Sequence, residues 1–238
     1  MDHKIAPRFI LPAALIAAAA PLPASAASQT FVITYFDSVR LEAPVRLEVA
    51  TGRGVTAHAD GDRDALDRLD MTVSGSQLVV RMRAVTSGAD KSIGPLTISV
   101  TTGAVRRAVV SGNGELVIDK LKGQNGELTL AGNGSVDVGA VQLDKLTLLM
   151  AGSGSAKLGG AAATGDIRLN GAVSLDGAAL ALKQAKLVLD GAGTASLSVN
   201  GPASLSISGP GNVEVTGKPA CTVTHAGSGR VLCGGAEY

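Results

Sequence analysis

The stretch "SGNG", residues 111–114, is the first of several glycine corners that recur along this chain. Close variants follow as "AGNG" at 131–134, "AGSG" at 151–154 and 226–229, and "SGPG" at 208–211. The first glycine of each corner follows the previous one by 18 to 20 residues, at Gly112, Gly132, Gly152, Gly171, Gly191, Gly209 and Gly227. A β-rich repeat of nearly constant length indicates a solenoid, in which each repeat forms one coil stacked on the last.

The corner glycines are predicted to be structural turn residues rather than ligand-binding ones. A strand must turn sharply at each corner, and glycine reaches positive φ without a Cβ clash. Asn113 and Asn133 also tolerate the left-handed region, and their stacked amides could pair along the solenoid. Val173 replaces the second glycine of the fourth corner. The predicted turn glycines are Gly112, Gly114, Gly132, Gly134, Gly152, Gly154, Gly191, Gly193, Gly209, Gly211, Gly227 and Gly229.

Two segments of alternating apolar residues occupy each repeat. Residues two apart point to the same face of a strand, so these pairs should stack into inward ladders within two parallel sheets. The pairs after the corners are Leu116/Ile118, Val136/Val138, Ala156/Leu158, Ala195/Leu197, Val213/Val215 and Val231/Cys233. The pairs before the next corner are Leu128/Leu130, Leu146/Leu148, Ile167/Leu169, Leu187/Leu189, Leu205/Ile207 and Val223/His225. Intervening residues such as Thr129, Arg168 and Ser206 should face water. The prediction is an all-β chain with a parallel, right-handed β-solenoid over 101–238.

The part before the repeats, residues 27–100, is predicted to be a strand-rich cap. The segments "FVITYF" at 31–36, "VRLEV" at 45–49 and "QLVVRMR" at 77–83 are β-rich and bounded by turn residues. These segments lack the glycine spacing of the repeats, so the cap is distinguished from the solenoid by its sequence pattern.

The segment "DGDRDALDRLD", residues 60–70, predicts a short helix. Asp62 or Asp64 could cap it, and Leu66 and Leu69 would share one face. The alternating aspartates also suggest a calcium loop. Such a loop needs glycine at its sixth position and glutamate at its twelfth, where this chain has Ala65 and Met71. The capped helix is therefore favoured over a metal site.

Residues 1–26 have the layout of a secretory signal peptide. A basic start is followed by the apolar run "FILPAALIAAAAPL" at 9–22 and by "ASA" at 24–26, which predicts cleavage after Ala26. No later stretch predicts a helix that spans a bilayer. The formal net charge of +1, with scattered Lys and Arg, argues against a nucleic-acid partner. We expect export to the periplasm or the cell surface of a Gram-negative bacterium.

The two cysteines are predicted to form a disulfide in the last coil. Cys233 ends the first segment of its coil, and Cys221 begins the second segment of the coil before it. Both therefore lie at the same edge of the solenoid, and an exported chain meets an oxidising compartment. Two free thiols are the alternative.

The glycine corners do not match the known phosphate or calcium motifs. A dinucleotide fingerprint needs a third glycine and a following helix, and the corners lack both. Calcium-binding β-rolls need an aspartate two residues after the last glycine of the motif. Asp137 is three residues after Gly134, and Lys157, Ser196 and Glu214 occupy the corresponding places. No cofactor or metal ligand is assigned.

No set of residues predicts a catalytic site. Polysaccharide-cleaving β-helices need clustered carboxylates, alone or with Arg and Lys, on one outer face. The outward charges here look dispersed, at Glu127, Asp137, Lys157, Arg168 and Glu214. His58 and His225 are the histidines after residue 26; His225 falls on the inward phase, which favours a structural role. No G-x-S-x-G elbow accompanies a histidine and an acid.

Residues 31–122 carry a pattern that resembles the head GIN domain family, and the resemblance covers nearly all of the chain after residue 26. The stretches that carry the resemblance are "FDSVRLEAPVRLEVATG" (36–52), "GDRDALDRLDMTVSGSQLVVRMR" (61–83) and "PLTISVTTGAVRRAVVSGNGEL" (95–116). That family is described as autotransporter adhesins and is largely without an assigned function. The resemblance implies one exported β-solenoid domain over 27–238, and it implies no catalytic residues.

These observations together predict a non-enzymatic envelope protein that binds or supports an unidentified protein or polymer. The aromatic content is 2%, with no Trp, so few aromatic side chains are available to stack on sugar rings. The alternative is a carbohydrate-active β-helix enzyme acting on an envelope or extracellular polysaccharide.

Overall fold

The computed structural model describes residues 27–84 and 94–238; the predicted signal peptide lies outside this range. The N-terminal elements are β1 (Ala27–Thr30), β2 (Ser38–Leu41), β3 (Arg46–Thr51), β4 (Thr56–Gly61), α1 (Arg63–Arg68), β5 (Leu69–Ser74), β6 (Gln77–Met82) and β7 (Leu96–Thr102). The solenoid elements are β8 (Arg107–Gly112), β9 (Glu115–Gly132), β10 (Ser135–Gly152), β11 (Ser155–Gly171), β12 (Ser174–Asp190), β13 (Thr194–Val199), β14 (Pro202–Ser208), β15 (Asn212–Gly217), β16 (Ala220–Ala226), β17 (Val231–Cys233) and β18 (Ala236–Glu237). The predicted all-β solenoid is confirmed.

The coils stack through two series of paired strands. The front sheet contains, in order, β1, β4, β7, β3, the first parts of β9 to β12, then β13, β15, β17 and β18. The back sheet contains β5, β6, β2, β8, the last parts of β9 to β12, then β14 and β16. Pairing is parallel within the stack and antiparallel at the end pairs β1–β4, β4–β7, β5–β6 and β17–β18.

The predicted aliphatic ladders line the core, and the structure adds a third ladder between them. All the predicted pairs are buried except Val223 and His225, which are half-buried. The third ladder lies where the chain passes from the front sheet to the back sheet, and its buried members are Leu121, Val141, Leu143, Ala162, Leu180, Leu182 and Val199. Register shifts at Val138/Val141, Lys157/Gly160 and Gly177/Ala181 interrupt the two-residue alternation there. The periodicity therefore predicts two inward segments per coil, where the structure has three.

The two glycines of a corner have different conformations. Gly132 and Gly152, which come first in their corners, have φ of 123° and 117°. Gly134 and Gly154 come second and have no positive φ, but a Cβ at Gly134 would lie 2.4 Å from the carbonyl oxygen of Gly114. The first glycine thus permits the turn, and the second permits close stacking of one coil on the next.

The corner asparagines do not have the roles predicted for them. The positive φ values among the described residues all belong to glycines, so the expected use of the left-handed region by Asn113 and Asn133 is wrong. The backbone N–H of Asn133 donates to Gly112 O at 2.9 Å, and their side-chain amides form no hydrogen bond within the described part of the chain. Backbone bonds between coils therefore hold this corner.

The predicted strand at 31–36 is wrong. The segment is irregular and runs from the edge of the front sheet, where Phe31 N donates to Ala57 O, to the start of β2 in the back sheet. A segment that crosses between sheets has no neighbouring strand to pair with, whatever its β propensity. Phe36 is fully buried, whereas Val32 is fully exposed. The strand instead precedes this segment, as β1, and pairs antiparallel with β4.

The predicted short helix is confirmed as α1, and it covers the N-terminal end of the core. Asp62 is the N-cap, and its carboxylate accepts from Asp64 N at 2.9 Å. Leu66 and the adjoining Leu69 are buried. The helix joins β4 of the front sheet to β5 of the back sheet, so it bridges the two sheets across the end of the stack.

The predicted disulfide is confirmed at the opposite end. Cys221 on β16 and Cys233 on β17 are joined, with their Cα atoms 6.4 Å apart. β16 belongs to the back sheet and β17 to the front sheet. The disulfide therefore connects the two sheets across the last coil.

Candidate binding cleft

A polar cleft of about 520 Å³ lies on the outer surface of the back sheet, across the neighbouring strands β2, β8, β9 and β10. Parallel pairing in register aligns Ser38 with Arg107, Arg107 with Glu127, and Glu127 with Thr147. One polar residue from each of four stacked strands therefore lies in a single row. The cleft is lined by Asp37, Ser38, Ser76, Arg106, Arg107, Asn125, Gly126, Glu127, Lys145 and Thr147.

Ion pairs between strands fix the charged walls of this polar cleft. Arg107 Nε donates to Glu127 Oε2 at 2.9 Å, from β8 to β9. Arg106 Nη2 lies 3.4 Å from Asp37 Oδ2, and Arg106 N also donates to the carbonyl oxygen of Asp37 at 2.8 Å. Both carboxylates of the cleft therefore face an arginine, and both arginines are held by backbone and side-chain contacts.

Lys145 is the cationic group of the polar cleft that has no ion-pair partner among the described residues. It is exposed and lies beside Asn125, its register partner on β9. Ser38 Oγ is buried and also has no hydrogen-bond partner within the described chain. The cleft thus combines two arginine–carboxylate pairs, one free ammonium group, and the hydroxyl and amide groups of Ser76, Thr147 and Asn125.

Glu127 is the outward charge from the sequence analysis that lies in this cleft. The others lie elsewhere: Arg168 is on the back sheet, with its Nη2 3.6 Å from Asp166 Oδ2. Asp137 and Lys157 are register partners on the front sheet, and Glu214 continues the same row. Charges that look dispersed in the sequence are therefore aligned by the coil.

Asp176 also belongs to this front-sheet row, which borders a second cleft of about 470 Å³. Glu214 and Arg230 line that cleft together with Asp176. It lies near the C-terminal end of the solenoid, far along the stack from the polar cleft.

Asp37, Arg106, Arg107 and Lys145 line the cleft but were not predicted from the sequence. The sequence does place charged residues at the starts of two strands. "FD" at 36–37 directly precedes β2, and in "RR" at 106–107 the first arginine precedes β8 and the second begins it. When parallel strands pair in register, their amino ends lie side by side along one edge of the sheet. Polar residues at the starts of neighbouring strands are therefore expected to cluster.

The two histidines each lie beside a residue of a neighbouring strand. The His58 ring Nδ1 lies 3.0 Å from Thr30 Oγ1, between β4 and β1. His225 is half-buried above Ile207, its register partner, and its Nε2 is buried without a partner in the described chain. Neither residue lines the polar cleft.

Two arginine–glutamate clusters elsewhere have shifted proton affinities. The Arg81 side chain, and after it Arg40, donates to the Glu42 carboxylate and lowers its pKa. Hydrogen bonds from Arg46 to Glu48 and Glu115 raise the pKa of the Arg46 guanidinium. Both clusters join neighbouring strands near the N-terminal end of the stack.

The residues 27–84 and 94–238 contain no group of three or more His, Cys, Asp and Glu side chains placed to hold a metal ion. They also contain no helix with the length and hydropathy needed to cross a membrane.

A family model described as "Putative auto-transporter adhesin, head GIN domain" matches residues 35–219. None of the curated proteins compared with the chain matches it.

Solved structures with the same architecture come from Bacteroides and Parabacteroides species. A "putative adhesin" of Bacteroides fragilis NCTC 9343 superposes with a TM-score of 0.76 at 16% identity, covering 87% of this chain and 96% of that one. A "putative lipid binding protein" of Parabacteroides distasonis ATCC 8503 gives 0.69 at 16% identity, covering 88% and 97%. A "putative adhesin" of the same species gives 0.64 at 18% identity, covering 88% and 97%. At these identities the likeness establishes the fold.

Proposed function

Because the chain belongs to the head GIN domain family, we propose that it is an exported, non-enzymatic binding module of a Gram-negative cell envelope. Its binding site is the polar cleft, and its ligand is a hydroxyl-rich polymer that carries acidic groups, such as an acidic glycan. Residues 27–238 act as one GIN-type domain after removal of the signal peptide 1–26. The observation that carries the proposal is the unpaired Lys145 beside two paired arginines.

The charge arrangement supports an acidic ligand. Glu127 and Asp37 already face Arg107 and Arg106, so the cation that is left for a ligand is Lys145. An ammonium group donates up to three hydrogen bonds and accepts none, and a charge-assisted hydrogen bond is stronger than a neutral one. A carboxylate or similar anion is therefore the group that Lys145 binds best.

The rest of the cleft supports a hydroxyl-rich ligand. Asn125 and Thr147 offer donors and acceptors near Lys145, Ser76 does so at the β2 side of the cleft, and none of the lining residues is aromatic. Recognition must then rely on hydrogen bonds and ion pairs instead of stacking. Because the lining residues lie on paired strands or directly beside them, the site is preorganised, which lowers the entropy lost on binding.

The test is a charge reversal in the cleft with a matched control on the same sheet. Lys145→Glu should weaken binding to a polyuronate at least about tenfold, the equivalent of one lost charge-assisted contact. Lys186→Glu, also exposed and on the back sheet but outside the cleft, should bind like the wild type. Isothermal titration calorimetry at low and high salt gives the affinities, and the wild-type affinity should fall with salt. Equal binding by Lys145→Glu and the wild type contradicts the proposal.

A carbohydrate-active enzyme is the second candidate, because the cleft does bring two carboxylates together with Arg106, Arg107 and Lys145. The two candidates differ in product formation. Release of reducing ends or of an unsaturated product from the same polyuronate, abolished by Glu127→Gln, would favour the enzyme. The binding proposal expects retention of the intact polymer with no product.

A further inference from the structure

Leu149 is an exposed apolar side chain on a paired strand of the solenoid. The large apolar side chains that are exposed among the described residues are Val32, Tyr35, Leu149 and Tyr238. Val32 and Tyr35 lie in the irregular segment that crosses between the sheets, and Tyr238 is the last residue. Leu149, which is 43% exposed, lies instead in β10, between the buried Leu148 and Met150. Its side chain therefore points outward from the middle of the back sheet.

Apolar groups adjoin Leu149 on the same outer face. In the register of the back sheet Leu149 pairs with Thr129 on β9, and Thr129 pairs with Val109 on β8. The next outward places on β9 and β10 hold Ala131 and Ala151, which are exposed and pair with each other. A single exposed leucine is ordinary, whereas adjoining apolar groups form a patch that a ligand can cover. These five residues are called the apolar shelf below.

The apolar shelf borders the polar cleft. Lys145, Thr147 and Leu149 alternate outward along β10, and the first two line the cleft. The same step of two residues separates the cleft from the shelf on β8 and β9. Two residues of a strand span about 6.6 Å, which is close to the width of one sugar ring. One ligand can therefore contact the cleft and the shelf at the same time.

The boundary between cleft and shelf selects for a particular substituent on an acidic sugar. The carboxylate and the hydroxyls of an unmodified sugar gain nothing from contact with Leu149, because polar groups lose hydration on an apolar surface. A short acyl group esterified to one hydroxyl supplies a methyl group that does gain from this contact. The ester leaves the charge of the sugar unchanged, so the contact of its carboxylate with Lys145 is kept.

We propose that the ligand of the polar cleft is an O-acylated acidic glycan, whose carboxylate contacts Lys145 and whose acyl group lies against Leu149 on the apolar shelf. This inference rests on the proposed function and narrows its ligand class. The occupant of the shelf is a part of the cleft's own ligand, because the two surfaces are continuous and β10 contributes both Lys145 and Leu149. Leu149 is then the residue that distinguishes the acylated glycan from the unmodified one.

The test compares two forms of one polyuronate, the O-acetylated polymer and the same polymer after mild alkaline removal of its acetyl groups. In isothermal titration calorimetry the wild type should bind the acetylated form about fourfold more tightly, which is the effect of burying about one methyl group. The heat capacity change of binding should also be more negative for the acetylated form, since more apolar surface is buried.

Variants separate the contributions of the shelf and the cleft. Leu149→Ser should bind the deacetylated polymer like the wild type and lose the preference for the acetylated one. The matched control is Leu232→Ser, which changes a leucine that points outward from the front sheet on β17 and should keep the preference. Lys145→Glu should weaken binding of both forms by the same factor. Circular dichroism checks that the variants fold.

The outcomes distinguish this inference from the proposed function. Equal affinity of the wild type for the two forms overturns the inference and leaves acid recognition by Lys145 standing, whereas binding of neither form overturns both. A preference that survives in Leu149→Ser also overturns the inference.

Other occupants of the apolar shelf have their own signatures, and each contradicts the proposal. Co-sedimentation with phosphatidylglycerol vesicles that Leu149→Ser abolishes would assign the shelf to a membrane surface. A concentration-dependent dimer in sedimentation equilibrium that Leu149→Ser abolishes would assign it to a second copy of the chain.

Discussion

At the N-terminal end of the solenoid, α1 and the antiparallel strands β4 and β5 cover the last core layer, whereas at the C-terminal end a disulfide joins the two sheets and β16 stays free. The covering elements bury Ala65, Leu66 and Leu69 almost completely. At the other end Val231 and Cys233 on β17 are buried, whereas Val223 and His225 on β16 are only half-buried.

The two ends illustrate two physical ways to stabilise a terminal coil. A terminal repeat has one neighbour, so it loses half of the contacts that stabilise an internal repeat. The N-terminal end compensates by burying apolar area, which stabilises the folded state. The C-terminal end compensates with a crosslink, which acts mainly by restricting the unfolded chain. The first end should therefore depend on packing, and the second on redox state.

The largest expected effect comes from a corner in the middle of the stack. Gly152→Val puts a β-branched residue at φ 117° with its Cβ 2.4 Å from Gly132 O. Backbone strain and overpacking together should lower the free energy of unfolding by about 4 kcal/mol. Chemical denaturation measures the loss.

The same substitution in the C-terminal corner should cost about half as much. Gly227→Val also clashes, with Gly209 O, but the last coil can move away from its single neighbour and fray. Gly54→Ala is the control, because Gly54 has no positive φ and nothing lies within 4 Å of an added Cβ. Equal losses at Gly152 and Gly227 would mean that the end coil is as rigid as the middle.

The next expected effect concerns the elements that cover the N-terminal end, α1 with β4 and β5. Leu66→Ala removes a side chain that is 4% exposed and should lower the free energy of unfolding by about 3 kcal/mol, since both apolar contact and packing are lost. Hydrogen exchange should accelerate in β4 and β5 and stay unchanged in β16. Asp67→Ala, on the exposed side of α1, should change stability by no more than about 0.5 kcal/mol. Faster exchange at the C-terminal end as well would show that the two ends are coupled.

Reduction of the disulfide should have a smaller and strictly local effect. Cys221 and Cys233 are 12 residues apart in sequence, and a loop of that size gives about 2 kcal/mol, at the low end of the usual range because the terminal coil frays anyway. With reductant, or in Cys221→Ser/Cys233→Ser, amide exchange should increase over β16 and β17. The ladder from Leu146 to Leu189 should stay protected. Loss of protection in that ladder would contradict the local role of the crosslink.

The sequence predicts the features that repeat and misses those that depend on a neighbour from elsewhere in the chain. The corner spacing and the two main ladders are periodic, so they can be read without knowing the fold. The N-cap of α1 is local and was equally predictable. The segment 31–36 has the composition of a strand, but it crosses between the sheets and finds no partner. The third ladder falls where register shifts break the alternation.

The polar cleft was hidden for a related reason. Asp37 and Arg106 are far apart in the chain, and Lys145 lies two coils further on. They meet because β2 inserts between β6 and β8 in the back sheet, an order that the repeat does not encode. The disulfide was predictable because both cysteines lie within the periodic part, where the coil position of each residue is known.

The smallest expected effect concerns an ion-pair cluster at the N-terminal end. Glu42 is about a quarter exposed and accepts from Arg81 and Arg40, which lower its pKa below the ordinary value of 4.5. A carboxyl whose pKa is lower in the folded state stabilises that state above its unfolded pKa, and the contribution disappears as the pH falls through the folded value. Glu42→Gln should therefore cost less than about 1 kcal/mol at neutral pH, since the pairs are partly screened by solvent. The difference from wild type should shrink steadily once the pH drops below 4.5.

The matched variant at the other end is Glu237→Gln, which removes the exposed pair with Arg230 and should leave the neutral-pH stability unchanged. Thermal melts of the three proteins across an acid pH series make the comparison, and a Glu42→Gln deficit that persists undiminished in acid would show that the carboxylate charge is not its source.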